Sequence, residues 1–498
     1  MSATDDLAVL AQGLLAPDAP ALARFTALED DANPARVFVV ARHDVVSAVL
    51  CDEATFSLQH YDLLLAQVAG PVRYLVGEDD AMRQLRLRQL HAAQAHVDQE
   101  RKAPPSGTAA NLAPSYRAWI AGLAREEARA ILAVLDRRGR TGEAVNFARD
   151  YAFLLAYRMA RRIIGVPAPH KPTGFVRLLT GARNLLRPGP WVRLKGEQGA
   201  ATTMLCLLQP LFGHVFGTVT TSPGWLQSLS RSTTRDALAA FDQTWDIPGI
   251  APADSLLAGL RAVEDEFGAG HTYRTQARSV LFELTGAMVL IVGKSLAEIA
   301  AFAISPRGHS AGIGWPELVA RLADDASPDA EHDATINEML RLVGGSRLVR
   351  TVRHDGTWRG IDLRKGDRIV VMVDVASHDP AAFAAPAKFA PDPARPYITS
   401  GPLQGPHVCY GRMIAWTIMR EAIVATQGRI VPVKDARLGL FAGLPDDLPF
   451  KVPQVPTDPD RAASKRGRRP RGQRQRSTTP PGALPMRNLK SFFKGPDQ

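Results

Sequence analysis

Apolar residues recur every three or four positions over much of the chain, which is the spacing that places them on one face of an α-helix. The pattern is clearest over 126–138, 147–165 and 277–304. The last of these segments is long for a surface helix, and its middle is apolar on all sides, which predicts a helix that crosses the core. The sequence therefore predicts a mainly helical body.

Strand patterns are few and short. Residues 36–41 (RVFVVA) predict an early strand, and residues 357–377 predict two short strands that flank the turn residues 365–367 (Lys-Gly-Asp). A long helical body with so few strands indicates a mainly α fold with a small β-sheet.

The charge of the chain is concentrated at its C-terminal end. The formal net charge is +10, but residues 461–498 hold eleven of the 60 Lys and Arg residues and a single acid, Asp497. The remaining 49 basic and 49 acidic residues make 1–460 formally neutral, so a nucleic-acid interface on the folded body is not expected. The tail has too few apolar residues to offset its chain entropy. We therefore expect one domain over 1–460 and a basic, disordered tail over 461–498.

Cysteine usage favours a reducing compartment. Cys51, Cys206 and Cys409 form no Cys-x-x-Cys pair and are too few for a disulfide framework. The first residues lack the basic and apolar regions of a signal peptide. The most apolar internal stretch, 284–293, is too short to span a bilayer and is followed by Lys294. We expect a soluble cytoplasmic protein with no transmembrane segment.

The third cysteine follows a segment rich in Gly and Pro, and a helical pattern begins two residues after it, at Gly411. Free N–H groups and the dipole at a helix N-terminus stabilise an anion, so the position predicts a lowered thiol pKa and a thiolate at Cys409. A thiolate is an electron-donating ligand for iron, and Gly405 and Gly411 would let a flat macrocycle approach the backbone. A buried structural cysteine and a nucleophile with a histidine base remain alternatives for this segment alone.

The residues Gly405-Pro-His407-Val-Cys409-Tyr-Gly411 resemble the haem-binding signature of the cytochrome P450 superfamily, Phe-x-x-Gly-x-(Arg/His)-x-Cys-x-Gly. Pro402 stands where that signature has its aromatic residue. The resemblance implies a single large domain of the cytochrome P450 type and haem b, with Cys409 as the iron ligand. It further implies that His407 binds a haem carboxylate.

A Glu-x-x-Arg pair lies upstream, at Glu338 and Arg341. The spacing places both residues on one helix face, but Glu126 and Arg129 have the same spacing, and an exposed pair of this kind contributes under about 1 kcal/mol. The order of the segments is more informative. A strand pair follows Glu338, and then comes the Gly- and Pro-rich loop that ends at Cys409, which we call the cysteine loop; the family has the same order. By that resemblance Arg395 joins the pair.

The resemblance also implies partners for the haem propionates. Arg350 matches an arginine that pairs with a propionate, and the guanidinium fork suits a carboxylate. Residues 77–90 resemble the region that supplies further propionate partners, where Arg86 and Arg88 are the candidates. Surface arginines are the alternative for all three.

The long helix predicted at 277–304 departs from the family pattern (Ala/Gly)-Gly-x-(Asp/Glu)-Thr. The segment Val292-Gly293-Lys294-Ser295-Leu296 keeps Gly293, which would allow a local helix distortion, and lacks the acid and the threonine in this register. Ser295 is a candidate for the missing hydroxyl. Its alternative is a helix-interior serine bonded back to a carbonyl.

The resemblance implies a monooxygenase that hydroxylates an apolar small molecule or lipid with O2 and with electrons from a separate ferredoxin and ferredoxin reductase. Because the acid and the threonine of the family pattern are missing, a peroxide-using or fatty-acid hydroperoxide-rearranging enzyme remains an alternative. An alternative of another class is a non-catalytic haem or partner-binding protein that acts through its basic tail, since basic runs bind phosphates.

Overall fold

Helices make up most of the protein, as the spacing of apolar residues predicts. In the computed structural model the α-helices lie at Ala3–Gly13, His43–Cys51, Gln59–Ala69, Asp80–Lys102, Tyr116–Arg140, Phe153–Met159, Gly196–Phe216, Gly224–Trp245, Leu256–Ala262, His271–Gly286, Gly293–Ile304, Pro306–Ala311, Trp315–Leu322, Asp329–Val343, Val373–Ala376 and Arg412–Ala425. Short 3₁₀ segments lie at Thr26–Leu28 and Glu264–Phe267.

The structure describes residues 3–453 except for 30–34, 71–79, 103–114, 141–144, 167–195, 217–223, 248, 250, 269, 346, 400, 402–406, 434–435 and 442–443. One unit spans Met1–Pro453. The tail predicted at 461–498 lies outside the described residues, so its boundary and its disorder stay predictions.

Wide turns of the π type interrupt two of the predicted helices. In the first, predicted at 147–165, Phe147–Ala152 and Ala160–Ile164 flank the α-helix Phe153–Met159. In the second, Ala287–Val292 separates two α-helical halves of one helix, His271–Ile304, which we call the central helix. The helix predicted at 277–304 is confirmed, and it begins six residues earlier.

The central helix is a core helix. It and Gly199–Phe216 are long and apolar enough to cross a membrane, but 61% and 67% of their most apolar windows are buried inside the protein. Apolar residues on all sides of a helix are expected where it is surrounded by other helices.

The main β-sheet has five strands. In spatial order they are Ala23–Arg24, Val37–Val40, Arg368–Met372, Arg347–Val352 and Phe56–Ser57. The Val37–Val40 strand runs parallel to Arg368–Met372, and the other neighbours are antiparallel. The strand predicted at 36–41 is therefore confirmed.

Both faces of this sheet are covered. Val37 and Val39 point to one side, where the N-terminal helix contributes Leu7 and Ala11. Phe38 and Val40 point to the other side, where the helix His43–Cys51 covers them. The alternation follows from the two-residue period of a strand.

Smaller sheets complete the fold. In one, Pro449–Lys451 is the middle strand between Val145–Asn146 and Val431–Pro432. The other two pair Gly439–Phe441 with Leu444–Asp447, and Gly356–Trp358 with Ile361–Leu363. The two strands predicted within 357–377 are Ile361–Leu363 and Arg368–Met372, but they belong to different sheets. The mainly α fold with small sheets is confirmed.

Candidate active site

Cys409 lies in a turn just before the helix Arg412–Ala425, which we call the cysteine helix. Gly411 is the N-cap residue of that helix, and the Arg412 amide donates to the Cys409 carbonyl at 3.3 Å. The Cys409 side chain is exposed, yet the surrounding protein is dense enough to desolvate the thiol. A side chain on the wall of a deep cleft combines these two properties.

The thiol pKa differs from the prediction. Burial raises the pKa of Cys409, while the backbone amides of Gly411 and Arg412 and the charges of Arg412 and Arg83 act to lower it. The backbone amides therefore act as predicted. The predicted lowering of the thiol pKa was wrong, because desolvation of the thiolate outweighs its stabilisation by the helix N-terminus.

Of the two glycines predicted to make room for a macrocycle, the structure describes Gly411 but not Gly405. Gly405 and Pro402 lie outside the described residues. A Cβ atom added at Gly411 would meet no described atom within 4 Å, and its φ of −83° is one that any residue can adopt. Open space beside the backbone, and not an unusual conformation, distinguishes Gly411.

Glu338 and Arg341 form a buried ion pair that anchors the segment before the cysteine loop. The side chains are 0% and 1% exposed, and Arg341 donates to both Glu338 carboxylate oxygens at 2.7 and 2.9 Å. Arg395 Nη1 lies 3.7 Å from Glu338 Oε1. The three residues implied by the resemblance are thus together in space.

Arg341 also fixes three backbone positions. It donates to the carbonyl oxygens of Ser377, Pro386 and Lys388 at 2.9, 2.7 and 3.1 Å. Its guanidinium carbon lies 4.7 Å from the ring centre of Phe383. Because these residues precede Cys409 in the chain, Arg341 orders the backbone that leads into the cysteine loop.

A group of basic side chains lies next to the cysteine loop. Arg350 is buried in the main sheet, and Arg83 and Arg86 are buried on the helix Asp80–Lys102. Arg83 Nη2 donates to the Val408 carbonyl at 3.5 Å. We call Arg83, Arg350 and His407 the basic cluster, and Arg86 lies one turn from Arg83 on the buried face of the same helix.

Glu53 is the acid beside the basic cluster. Its Oε1 lies 2.8 Å from His407 Nε2. Burial lowers the pKa of Arg350; the charges of Tyr61 and Glu53 oppose that shift, and the Arg83 charge adds to it. In the part of the chain that the structure describes, the guanidinium of Arg350 makes one hydrogen bond, to the Val349 carbonyl at 3.1 Å. A buried guanidinium with unmet donors is stabilised by an anion.

The two arginines predicted as propionate partners lie on opposite faces of the helix Asp80–Lys102. Arg86 is buried, whereas Arg88 is exposed. Sequence reasoning missed Arg83, which lies one turn before Arg86 on the same inward face as Leu90. It also missed Glu53. The three-residue spacing of Arg83 and Arg86 along an apolar stripe is the signal that identifies Arg83.

Gly293 has a packing role in this structure. Its backbone is ordinary α-helix (φ −62°), and an added Cβ would lie 2.4 Å from Cδ1 of Phe153. The helix distortion expected near Gly293 is present, but it is the wide turn Ala287–Val292 that precedes it. Gly293 therefore accounts for close helix approach and does not itself carry the distortion.

The exposed positions in the second half of the central helix lie along one stripe. Ile291 is 49% exposed although Leu290 and Val292 beside it are buried. Lys294 and Glu298 follow at helical spacing, with side chains 41% and 24% exposed. The wide turn packs against the cysteine helix, and we infer that this stripe and Cys409 face a common cleft.

Ser295 lies on the same stripe and is partly exposed. Within the described region its hydroxyl makes no hydrogen bond back to the preceding turn, in contrast to Thr285, which donates to the Leu281 carbonyl at 2.7 Å. The alternative of a back-bonded serine is therefore not what the structure shows, and the hydroxyl is available to a ligand.

The donor set fits a haem. Cys409 offers one sulfur ligand with two backbone amides beside it, Gly411 leaves open space next to the backbone, and buried cations of the basic cluster offer partners for carboxylates. Thiolate ligation of iron together with bidentate arginine–carboxylate pairing is the chemistry that such a set supports.

Comparison with known proteins identifies the family. The family model described as "Cytochrome P450" matches residues 332–425, which hold Glu338, Arg341 and Cys409. The match covers 94 of the 498 residues and supports the cytochrome P450 superfamily. Cytochromes P450 are haem-thiolate enzymes, and the recognition made from the cysteine segment is confirmed.

The similarity to individual cytochromes P450 is local in sequence and extensive in fold. Over 100 residues the chain is 32% identical to cytochrome P450 3A5 from Homo sapiens, and the match covers 18% of this chain and 20% of that protein. Over 111 residues it is 33% identical to cytochrome P450(BM-1) from Priestia megaterium, covering 21% and 26%. The match therefore spans far less than two thirds of either relative.

One solved structure shows how far the fold extends. P450BioI, in complex with an acyl carrier protein ligated to hexadec-9Z-enoic acid, is similar over 91% of this chain and 100% of that chain. The TM-score is 0.61 and the sequence identity is 15%. This likeness shows a common single-domain cytochrome P450 fold.

Proposed function

We propose that this cytochrome P450 is a monooxygenase that hydroxylates a largely apolar small molecule or lipid, using O2 and electrons from a separate ferredoxin and ferredoxin reductase. The observations that carry the proposal are the exposed, desolvated Cys409 and the exposed stripe of the central helix, whose wide turn packs against the cysteine helix. Apolar residues such as Ile291 on that stripe suit an apolar substrate.

The residues divide the work of holding haem b. Cys409 is the iron ligand, and the amides of Gly411 and Arg412 stabilise its sulfur. Arg83, Arg86, Arg350 and His407 hold the two propionates, and Glu53 orients His407 through the 2.8 Å contact. Bound haem supplies the redox chemistry that activates the oxidant, and the thiolate donates electron density to the iron.

Protons reach the cleft by way of the central helix. Ser295 Oγ is the hydroxyl on the open stripe, where it holds a proton within reach of the cleft. Glu298 is the acid of the same face, one turn further on, and it is neutralised by Lys294 at 2.7 Å. Both carboxylate oxygens of Glu298 lie 2.7 Å from Lys294 Nζ, so the ion pair occupies this acid.

A second candidate function follows from that pair. A lysine on the open stripe, with the nearest acid tied to it, favours an oxidant whose oxygen–oxygen bond is already formed. Hydrogen peroxide or a lipid hydroperoxide would need neither two reducing electrons nor the usual proton delivery. The peroxide-using enzyme is therefore the alternative that the central helix supports.

The two functions are separated by their oxidant. Purified protein is incubated with a panel of apolar substrates, either with ferredoxin, its reductase and NADPH, or with hydrogen peroxide alone. Turnover only in the first mixture supports the monooxygenase, and faster turnover in the second supports the peroxide-using enzyme. Cys409→Ala is the control, and product formed equally well by that variant would contradict both.

We place the protein in the cytoplasm and treat the basic tail as an accessory. Deletion of 461–498 tests the non-catalytic alternative directly. Unchanged haem content and turnover in the truncated protein would support a catalytic body with an accessory tail. Loss of all function, with haem content intact, would favour a binding protein that acts through the tail.

A further inference from the structure

The open stripe of the central helix carries one ion pair in an otherwise uncharged sequence. Between Ala287 and Ile304 the charged residues are Lys294 and Glu298. Nζ of Lys294 lies 2.7 Å from both carboxylate oxygens of Glu298. The side chains are 41% and 24% exposed, on the stripe that we infer to face the same cleft as Cys409.

Helix stability does not explain this pair. In an α-helix a glutamate four residues before a lysine is the stabilising order, and the reverse order contributes less. Here the lysine precedes the glutamate. An apolar segment that packs inside the protein also gains nothing from two charges that must be partly desolvated. The position is therefore better explained by a ligand than by folding.

The pair is electrically neutral but offers both kinds of hydrogen bond. The ammonium of Lys294 has three N–H donors and uses part of them on Glu298, while the carboxylate of Glu298 keeps unused lone pairs. A ligand group that has an acceptor next to a donor can bond to both partners at once. An amide is such a group, and it brings no net charge into the cleft.

A carboxylate is a poor match for the same surface. Bound to Lys294, it would lie about 5 Å from the Glu298 carboxylate, and at that separation the like-charge repulsion cancels most of its attraction to the ammonium. The desolvation of the incoming anion then remains uncompensated.

We propose that Lys294 and Glu298 together are the polar contact for the substrate, and that they select an uncharged donor–acceptor group such as an amide over a carboxylate. This inference rests on the proposed function, because it assigns the cleft to substrate. It narrows the substrate to a largely apolar molecule with one neutral polar group of that kind.

The test compares two ligands of equal length, dodecanamide and dodecanoate. Isothermal titration calorimetry measures the Kd of each for the haem-loaded protein and for the variants Lys294→Met and Glu298→Gln. We expect the parent protein to bind the amide at least about tenfold more tightly than the carboxylate. Glu298→Gln removes the repulsive charge and should improve dodecanoate binding about tenfold or more while weakening amide binding.

Two controls keep the result interpretable. The exchanged pair Lys294→Glu/Glu298→Lys keeps one donor and one acceptor in the preferred helix order, so it should fold and retain the preference for the amide. Asp242→Asn breaks the 2.6 Å pair of Arg278 and Asp242 elsewhere along the central helix, and it should leave both Kd values unchanged.

The inference is overturned if dodecanoate binds the parent protein more tightly than dodecanamide, or if Glu298→Gln leaves the ratio of the two Kd values unchanged. Failure of the proposed function would be seen separately. In that case the protein would turn over no apolar substrate with ferredoxin, its reductase and NADPH, whatever the ligand preference.

Discussion

Replacing Glu338 by Gln should destabilise the protein far more than any surface ion pair can explain. The substitution keeps the size of the side chain but removes the negative charge that faces Arg341, leaving a guanidinium that is 1% exposed without a counterion. It also weakens the acceptor that receives the Ala390 amide at 3.0 Å and lies 3.7 Å from Arg395.

The expected cost follows from burial. Removing one partner of a buried ion pair costs about 3–5 kcal/mol, since the other charge stays in the interior uncompensated. Three backbone carbonyls still accept from Arg341 in the variant, so the lower end of that range, about 3 kcal/mol, is the expected change in the free energy of unfolding.

The chain contains a matched control. Glu126 and Arg129 have the same three-residue spacing on another helix, but both are exposed, and Glu126→Gln should change the free energy of unfolding by less than about 0.5 kcal/mol. Urea unfolding followed by circular dichroism measures both variants. Equal shifts of the two midpoints would refute the reasoning, because Glu338 belongs to a buried ion pair whereas Glu126 is exposed.

Three further predictions concern haem retention, packing and pH. Arg350→Met removes a buried charged donor and should weaken haem affinity about ten- to a hundredfold, measured as haem transfer to excess apo-globin, whereas Arg88→Met on the exposed face should not. Gly293→Ala introduces a Cβ 2.4 Å from Phe153 and should cost about 1–3 kcal/mol in urea unfolding, with partial recovery in Phe153→Leu. Gly411→Ala, which meets no described atom, should stay within about 0.5 kcal/mol. Burial lowers the pKa of His214, His332 and His378 from the ordinary value of 6.5. The unfolded chain therefore takes up more protons as the pH falls through 6.5, and the free energy of unfolding should decrease there. His214→Gln should reduce that slope, and an unchanged slope would contradict the assignment.

The predictions that the structure confirms came from local sequence patterns. The Gly- and Pro-rich segment followed by a helical pattern predicts Cys409 at a helix start. The apolar run over 36–41 predicts a strand, and the structure shows it at Val37–Val40 with both faces covered. Glu338 and Arg341 become recognisable through their order relative to the cysteine segment, which a lone three-residue spacing does not provide.

The features that were missed depend on tertiary packing. The direction of the Cys409 pKa shift is set by how much protein surrounds the sulfur, and no local pattern reports that amount. Arg86 and Arg88 are two residues apart, and only the phase of their helix decides which is buried. The two strands around 364–367 look like a hairpin in sequence, yet each finds its partner in a different sheet.

The exposed stripe of the central helix could not be predicted from the sequence either, because it also depends on tertiary structure. Lys294 and Ser295 differ from the family motif in type, but the sequence does not show which of them faces the cleft. The wide turn Ala287–Val292 changes the helical phase of the residues around it, and the open positions at Ile291, Lys294 and Glu298 follow from it.

The central claim is that the sulfur of Cys409 is bonded to haem iron. The most direct measurement is the absorption spectrum of the reduced protein under carbon monoxide, recorded for the parent chain and for Cys409→Ala at equal haem content. A strongly red-shifted Soret band in the parent, absent from the variant, is the predicted result. An unshifted band in the parent, or the same shifted band in both proteins, would contradict thiolate ligation.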